Sequence, residues 1–407
     1  MDSLNVIHVT PAYKPAYCYG GPTLSVARLS EELTSEYPEL NLVVLTTLAN
    51  GKLELDVPTG VVTIVDGVKV MYFRRLTKDH THFSPALLRA LKASILEGKR
   101  KRQKIIVHIH SWWNLVATLS ALMAKIYRVP LVISPRGMIT SYTLSFRNRI
   151  MKALIHKLIA KPILNHAQLH ATSIQEKQHI QQHCTSSRIS VIPNLFTSSK
   201  RNVLSEQTDV SDIDTITRKS ETSQLSDQHL KVLYLSRIDQ KKGLDLLLKA
   251  LASVNFDWRL TIAGPGETSY ITFLQELAID LHISNKVTWL DALNNEEKYP
   301  LLASHDLLAL TSRNENFANV VLESLLVGTA VLVSDQVGLA DYIQERKLGW
   351  VCGTDPQEIA SVLNTINGEC RQRQNIRESA ADQVGQDFNT AQIVREYFNM
   401  YQELLHE

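Results

Sequence analysis

The stretch Thr311-Ser-Arg-Asn-Glu-Asn-Phe-Ala-Asn-Val-Val-Leu-Glu323 decides how this chain is read. Before it, Leu307-Leu-Ala-Leu310 is a short apolar run ended by polar residues, the pattern of a buried parallel strand. After it, Val320, Val321, Leu325 and Leu326 recur at helical spacing until Gly328 stops the pattern. The unit is therefore strand, loop, helix. Glu315 falls in the loop at the strand's carboxyl end, and Glu323 lies eight residues on, inside the helix. Between them the amides near Phe317, Ala318, Asn319 and Val320 leave a helix N-terminus, where anions bind well. Amides for a phosphate and carboxylates for hydroxyls suit a phosphorylated sugar. Taken alone, the same pair would also serve as a surface loop residue and half of a helix ion pair.

A second stretch repeats the architecture. Val232-Leu-Tyr-Leu-Ser-Arg-Ile-Asp-Gln-Lys-Lys-Gly243 precedes a helix marked by Leu244, Leu246, Leu247, Leu248 and Leu251. Arg237 and Lys242 fall in the loop and at the helix start. A planar fork of donors beside a mobile point charge suits a diphosphate. Gly243 is expected to let the backbone come close to a ligand.

An Arg-x4-Lys-Gly loop followed by Glu-x7-Glu resembles the C-terminal half of the retaining family 4 glycosyltransferases, whose fold is GT-B. The other half matches in order: the strand Val6-Ile-His-Val-Thr-Pro11, then Tyr19-Gly-Gly-Pro22 leading into a helix, His108-Ile-His-Ser-Trp-Trp113, Ser134-Pro-Arg-Gly-Met138, Ala171-Thr-Ser173 and Val191-Ile-Pro-Asn194. The resemblance covers nearly the whole chain apart from residues 198–229. It implies two Rossmann-like, doubly wound α/β domains facing across a deep cleft. The expected divisions are an acceptor-side domain over 1–197, a polar linker or insertion over 198–228, a nucleotide-sugar domain over 229–385, and a C-terminal helix over 386–407 crossing back to the first domain.

The resemblance also assigns roles. The donor is a UDP- or GDP-linked sugar whose diphosphate meets Arg237 and Lys242. Glu323 holds the ribose hydroxyls. Glu315, Asn316 and the amides from Phe317 to Asn319, with Val320 beside them, hold the transferred sugar. From the residues themselves, Gly20 and Gly21 are expected to let a helix N-terminus approach the phosphates or the acceptor, His110, at the end of its strand, to orient the sugar, and Arg136, after a strand and before Gly137, to bind the acceptor or a phosphate. The anomeric configuration is retained and a phosphate oxygen serves as base. Departures from the family pattern are Asn316 and Ala318 where glycine is usual, Ala330, and Ser236 before Arg237.

At 407 residues the chain is too long for one ordinary core. Its 44% hydrophobic and 21% charged shares are those of a globular protein, and no window approaches the roughly 18 apolar residues of a membrane span. Met1-Asp-Ser-Leu-Asn-Val runs almost directly into a strand, and Cys18, Cys184, Cys352 and Cys370 are scattered. Both features point to a reduced, cytoplasmic protein. The net charge of +2 hides an asymmetry. Residues 1–200 carry 25 Lys+Arg against 11 Asp+Glu, the remainder 18 against 30, and no carboxylate side chain lies between Glu97 and Glu176. Such a half is drawn to anions. The run Lys99-Arg-Lys-Arg-Gln-Lys104 and a basic amphipathic helix from Arg147 to Lys161 are consistent with peripheral contact at an anionic membrane and a glycan or lipid-linked acceptor in surface polysaccharide synthesis. No zinc-finger spacing, RNA-binding signature or basic zipper argues for nucleic acid.

Apolar runs at 4–9, 41–47, 105–110, 130–134, 168–172, 189–192, 231–236, 258–263, 286–290, 306–310 and 330–334 alternate with helical segments, which predicts parallel sheets. Asp212-Ile-Asp214 matches the metal-binding Asp-x-Asp of the other glycosyltransferase fold but follows no buried strand. The pairs His80/His82 and His108/His110 have the spacing of metal ligands on a strand, with no carboxylate or Cys nearby, so no metal cofactor is expected. Two other classes fit the same motifs: a GT-B nucleotide-sugar epimerase, which needs an acid/base carboxylate from the first half, and a non-catalytic sugar-nucleotide-binding protein.

Overall fold

A computed structural model describes residues 4–140, 160–186, 188–196, 229–293 and 295–406. The chain forms two units, Met1–Phe196 with Thr390–Glu407, and Thr197–Asn389.

The first unit holds β1 (Leu4–Val9), β2 (Asn41–Thr47), the short pair β3 (Ala49–Asn50) and β4 (Leu53–Glu54), β5 (Val62–Val65), β6 (Val68–Phe73), β7 (Lys104–His110), β8 (Leu131–Ser134), β9 (Gln168–Ala171) and β10 (Ile189–Val191). Its helices are α1 (Gly21–Glu36), α2 (Pro85–Arg100), α3 (Leu115–Ile126), α4 (Lys161–Leu164), α5 (Ile174–His183) and the final helix, α13 (Thr390–Leu404). The sheet order is β10-β9-β8-β7-β1-β2-β6-β5. From β1 the chain moves first toward β2 and β6, then returns to β7 on the other side. That reversal is where open α/β sheets bind ligands, at the strands' carboxyl ends. Helix starts follow local chemistry: Ser84, Asn114 and Ser173 each accept from an amide of the first turn.

The second unit holds β11 (Leu230–Leu235), β12 (Trp258–Ala263), β13 (Val287–Leu290), β14 (Leu307–Leu310), β15 (Ala330–Ser334) and β16 (Gly349–Cys352), in the order β13-β12-β11-β14-β15-β16. Every pairing is parallel. Its helices are α6 (Leu244–Ala252), α7 (Thr268–Asp280), α8 (Asn295–Ala303), α9 (Asn319–Leu326), α10 (Ala340–Arg346), α11 (Pro356–Gly368) and α12 (Cys370–Asp387). The order reverses between β11 and β14. Both strands are mostly buried and apolar, as the centre of a two-sided sheet requires.

Three differences from the sequence reading stand out. The first sheet is not wholly parallel: β5 and β6 form an antiparallel hairpin at its edge, turned by Asp66-Gly67 with both φ positive (47° and 82°), as a two-residue hairpin turn demands. β16 is an additional edge strand. His80 and His82 lie in the loop between β6 and α2, not on a strand, and His82 Nδ1 faces Arg75 Nη1 at 3.3 Å. The polar linker, Asp212-Ile-Asp214 and the basic helix as far as Lys157 lie outside the described residues. No helix among the described residues is long and apolar enough to cross a membrane.

Candidate active site

In the second unit the two motifs occupy neighbouring loops at the strand-order reversal. The loop after β11 carries Arg237, Lys241 and Lys242; the loop after β14 carries Glu315 and ends at Ala318. They are fastened by main-chain and side-chain contacts. Arg313 N–H donates to the Lys241 carbonyl (2.8 Å), Thr311 Oγ1 to the Gly243 carbonyl (2.9 Å), and Arg313 forks onto Asp245 (2.8 and 2.7 Å). Gly243 has φ 66°, and a Cβ there would lie 2.0 Å from the Thr311 carbonyl oxygen. The glycine is thus required for one loop to seat against the other.

Lys242 Nζ donates to the Glu315 carboxylate, both side chains being largely buried. Burial, aided by the Arg237 and Lys241 charges, brings the Lys242 ammonium down to about 7. Burial and the Arg237 charge lower Lys241 as well. Arg237 is exposed. The Glu315 backbone is pinned on its other side, its N–H to the Gln336 carbonyl and its carbonyl to Gly338 N–H, each at 2.9 Å. Ala318 closes the loop with a left-handed backbone, φ 68° and ψ 71°, and α9 starts at Asn319 with no side chain capping it. A Cβ in that region is strained, and such strain is characteristic of functional loops. Val320 is partly buried, Phe317 is buried against Phe388 (6.1 Å), and Glu323 stands on α9. Glu323 accepts from Lys298 of α8 at 2.9 Å. The motif reading missed Lys298, since nothing in the local pattern of α8 points toward α9.

In the first unit Gly20, with φ 64°, ends the loop after β1, and Gly21 opens α1; an added Cβ at either would meet nothing within 4 Å. His110 closes β7 and Arg136 follows β8. His110 is 1% exposed, its ring 4.8 Å from His8 and 4.1 Å from His108. One nitrogen from each of these three lies within 4.8 Å of the others. His8, on β1, is the partner the spacing of His108 and His110 did not reveal.

The hydrogen bonds order this cluster from a single carbonyl. Ile192 C=O accepts from His170 Nε2–H (2.8 Å), so His170 Nδ1 accepts from the Ser134 hydroxyl (2.7 Å). Ser134 then accepts from His108 Nε2–H (2.7 Å), His108 Nδ1 accepts from the Tyr401 hydroxyl (2.7 Å), and Tyr401 accepts from His8 Nε2–H (3.1 Å). Burial holds His8 and His170 at about 3, and His108 and His110 well below their ordinary value. With both nitrogens of His8 and His108 engaged, the cluster is a neutral network that anchors α13 through Tyr401. Arg136 Nη1 donates to Asn194 Oδ1 (2.8 Å), and Nη2 faces His110 Nδ1 (3.4 Å).

Each of the two α/β units thus gathers polar groups at the reversal of its sheet, the place where such sheets bind ligands. The family described as Glycosyltransferase Family 4 matches residues 19–197, and that described as Glycosyl transferases group 1 matches residues 215–383. The chain belongs to these family 4, group 1 glycosyltransferases. It is 23% identical to the D-inositol 3-phosphate glycosyltransferase of Corynebacterium efficiens, over 98% of this chain and 94% of that one. Matches to the N-acetyl-alpha-D-glucosaminyl L-malate synthase of Bacillus anthracis (26%, 45% of this chain and 48% of that one) and to the uncharacterized glycosyltransferase MJ1607 of Methanocaldococcus jannaschii (28%, 44% and 46%) span about half of each relative's length. The fold is similar to that of Anabaena Alr3699/HepE in complex with UDP and glucose, with a TM-score of 0.72, 19% identity, and 98% and 99% of the two chains covered. The fold is GT-B.

Proposed function

We propose that the chain is a retaining glycosyltransferase that moves a sugar from a nucleotide diphosphate sugar, UDP- or GDP-linked, to an acceptor hydroxyl in the assembly of a cell-surface or lipid-linked glycan. The observation that carries this is the meeting of the Arg237–Lys242 loop with the Glu315 loop at the reversal of the second sheet. Cationic groups and a carboxylate stand there together. The diphosphate takes Arg237 and Lys242, relieving Glu315 of the ammonium. Glu315, Asn316 and the amides from Phe317 to Val320 then hold the sugar, and Glu323, steadied by Lys298, takes the ribose hydroxyls.

As the diphosphate leaves, negative charge grows on it. The guanidinium, the ammonium and the helix amides stabilise that charge where it develops, so this reading needs no metal cofactor. The acceptor hydroxyl attacks the same face, with a phosphate oxygen as base. The first unit is assigned the acceptor. Two relatives named above act, by name, with anions, inositol 3-phosphate and malate. The basic first half fits an anionic acceptor or membrane face.

Incubation with a panel of nucleotide sugars tests this. Slow release of the free sugar with its anomeric configuration kept supports the transferase. A new nucleotide sugar would point to an epimerase, and binding without turnover to a non-catalytic sugar-nucleotide-binding protein.

A further inference from the structure

The first unit contains a positive charge, Arg136, that no carboxylate contacts among the described residues, although the Glu176 carboxylate lies near enough to be felt. Arg136 sits at the carboxyl end of β8 in a left-handed backbone conformation, φ 53°. Its partners, Asn194 Oδ1 and His110 Nδ1, are both neutral, and its Nε, shut off from water, has no partner. No ion pair involves Arg136 among the described residues. Glu176, whose field it feels, directs one oxygen to Gly137 N–H (2.6 Å) and the other to Thr172 N–H (2.7 Å) and hydroxyl (2.9 Å). Burial works against the charge, yet an arginine keeps it. Arg136 is half-buried, and a cation so placed without an ion pair costs stability, which a protein tolerates where a ligand supplies the counter-charge.

His110 adds a second unpartnered donor. Its Nδ1 faces a guanidinium N–H, so Nδ1 is the acceptor and the proton lies on Nε2. That nitrogen is buried and has no partner either. A sugar hydroxyl could accept one of these bonds but would leave the charge uncompensated; a phosphate or carboxylate supplies both lone pairs and charge.

We infer that Arg136, with His110 beside it, receives an oxyanion carried by the acceptor, a phosphate or a carboxylate. The assignment to the acceptor rests on the reading above, in which the donor's diphosphate belongs to Arg237 and Lys242.

The test uses the full chain, with inorganic phosphate and malonate as probes and UDP as control, followed by calorimetric titration and thermal unfolding in oxyanion-free buffer. At least one probe should bind saturably and raise Tm. Arg136→Gln should cut that affinity at least about tenfold, the scale of a charge-assisted hydrogen bond, and leave UDP affinity within about twofold. The ligand-free variant should unfold no lower than the parent, because an unpaired charge has gone; a merely structural arginine would lower Tm. Arg136→Lys keeps the charge without the fork. It should bind the probe more weakly with UDP affinity unchanged, and it carries the test if the Gln variant fails to fold. The better probe tells phosphate from carboxylate. A parent that binds neither probe, variants that bind as well as the parent, or a parallel loss of UDP affinity would each overturn the inference. Arg136-dependent probe binding without any UDP binding would sink the donor reading and leave the oxyanion site standing.

Discussion

Lys242 and Glu315, 73 residues apart, meet as a hydrogen-bonded ion pair between the loops that follow β11 and β14. Each group prepares the other. The carboxylate favours the charged ammonium in a place where burial and two neighbouring cations oppose it. The ammonium holds the carboxylate at the carboxyl end of the sheet.

Replacing Glu315 by Gln keeps the shape and removes the charge. Transfer or donor hydrolysis should fall by about 100-fold or more, the scale of losing one preorganised electrostatic contact. UDP affinity should change by less than about threefold, since a simple nucleotide carries no sugar to hold. Lys242→Met should weaken UDP by about tenfold or more, as expected for a charge-assisted bond, and transfer with it. Titration calorimetry and a hydrolysis assay on the same preparations decide this; full activity in Glu315→Gln would place the sugar elsewhere.

The lowered Lys242 value sets a pH dependence for nucleotide binding. In the free protein the ammonium loses its proton near pH 7, and a bound diphosphate raises that value. Below about pH 7 the lysine is charged in both states and affinity is level on its account. Above it, binding requires proton uptake, so affinity falls as pH rises, by up to about tenfold per unit, until the bound value is reached. UDP titrations in buffers of different ionisation enthalpy should show proton uptake at pH 8 in the parent and none in Lys242→Met. A flat profile from pH 6.5 to 9 would contradict the buried lysine's role.

Gly243→Ala should be far more harmful than a loop substitution usually is. The left-handed backbone disfavours any Cβ by about 1–2 kcal/mol, and the added atom would collide with the Thr311 carbonyl. Loss of about 2 kcal/mol or more in urea unfolding is expected, with UDP affinity reduced because the two motif loops no longer seat together.

The parts legible in the sequence were those written locally. Leu307–Leu310 and Val232-Leu-Tyr-Leu235 announce central strands by unbroken apolar runs, and the charged loops follow them directly. The hairpin ending at Phe73 carries a signal of its own in Asp66-Gly67, but a reading built on alternating strands and helices passes over a pair joined by two residues. β16, Gly349-Trp-Val-Cys352, is short and opens on glycine, so little marks it. His8 and Lys298 were out of reach for another reason. Each acts outside its own segment, His8 through Tyr401 and Lys298 on Glu323 of the next helix, and only the packing of the folded chain brings them together.

The histidine network predicts acid sensitivity and a stabilising role for one hydroxyl. His8 and His170 titrate near 3 in the folded chain and near 6.5 when unfolded, with His108 and His110 displaced the same way. The unfolded chain therefore binds more protons below pH 6.5, and stability falls as pH drops through the window from about 6.5 toward 3. The slope is at most about 1.4 kcal/mol per pH unit for each histidine. Arg136, the charged group among these rings, opposes their protonation and is itself fixed. Tyr401→Phe removes the hydroxyl that accepts from His8 and donates to His108, leaving two buried nitrogens unsatisfied, and should cost about 1–3 kcal/mol at pH 7.5. That loss should shrink at acid pH, because rings freed from the network are easier to protonate in the folded state. Urea unfolding of parent and variant from pH 7.5 to 5 reads both effects; a parent whose stability is constant over that range would show that these rings are not held neutral.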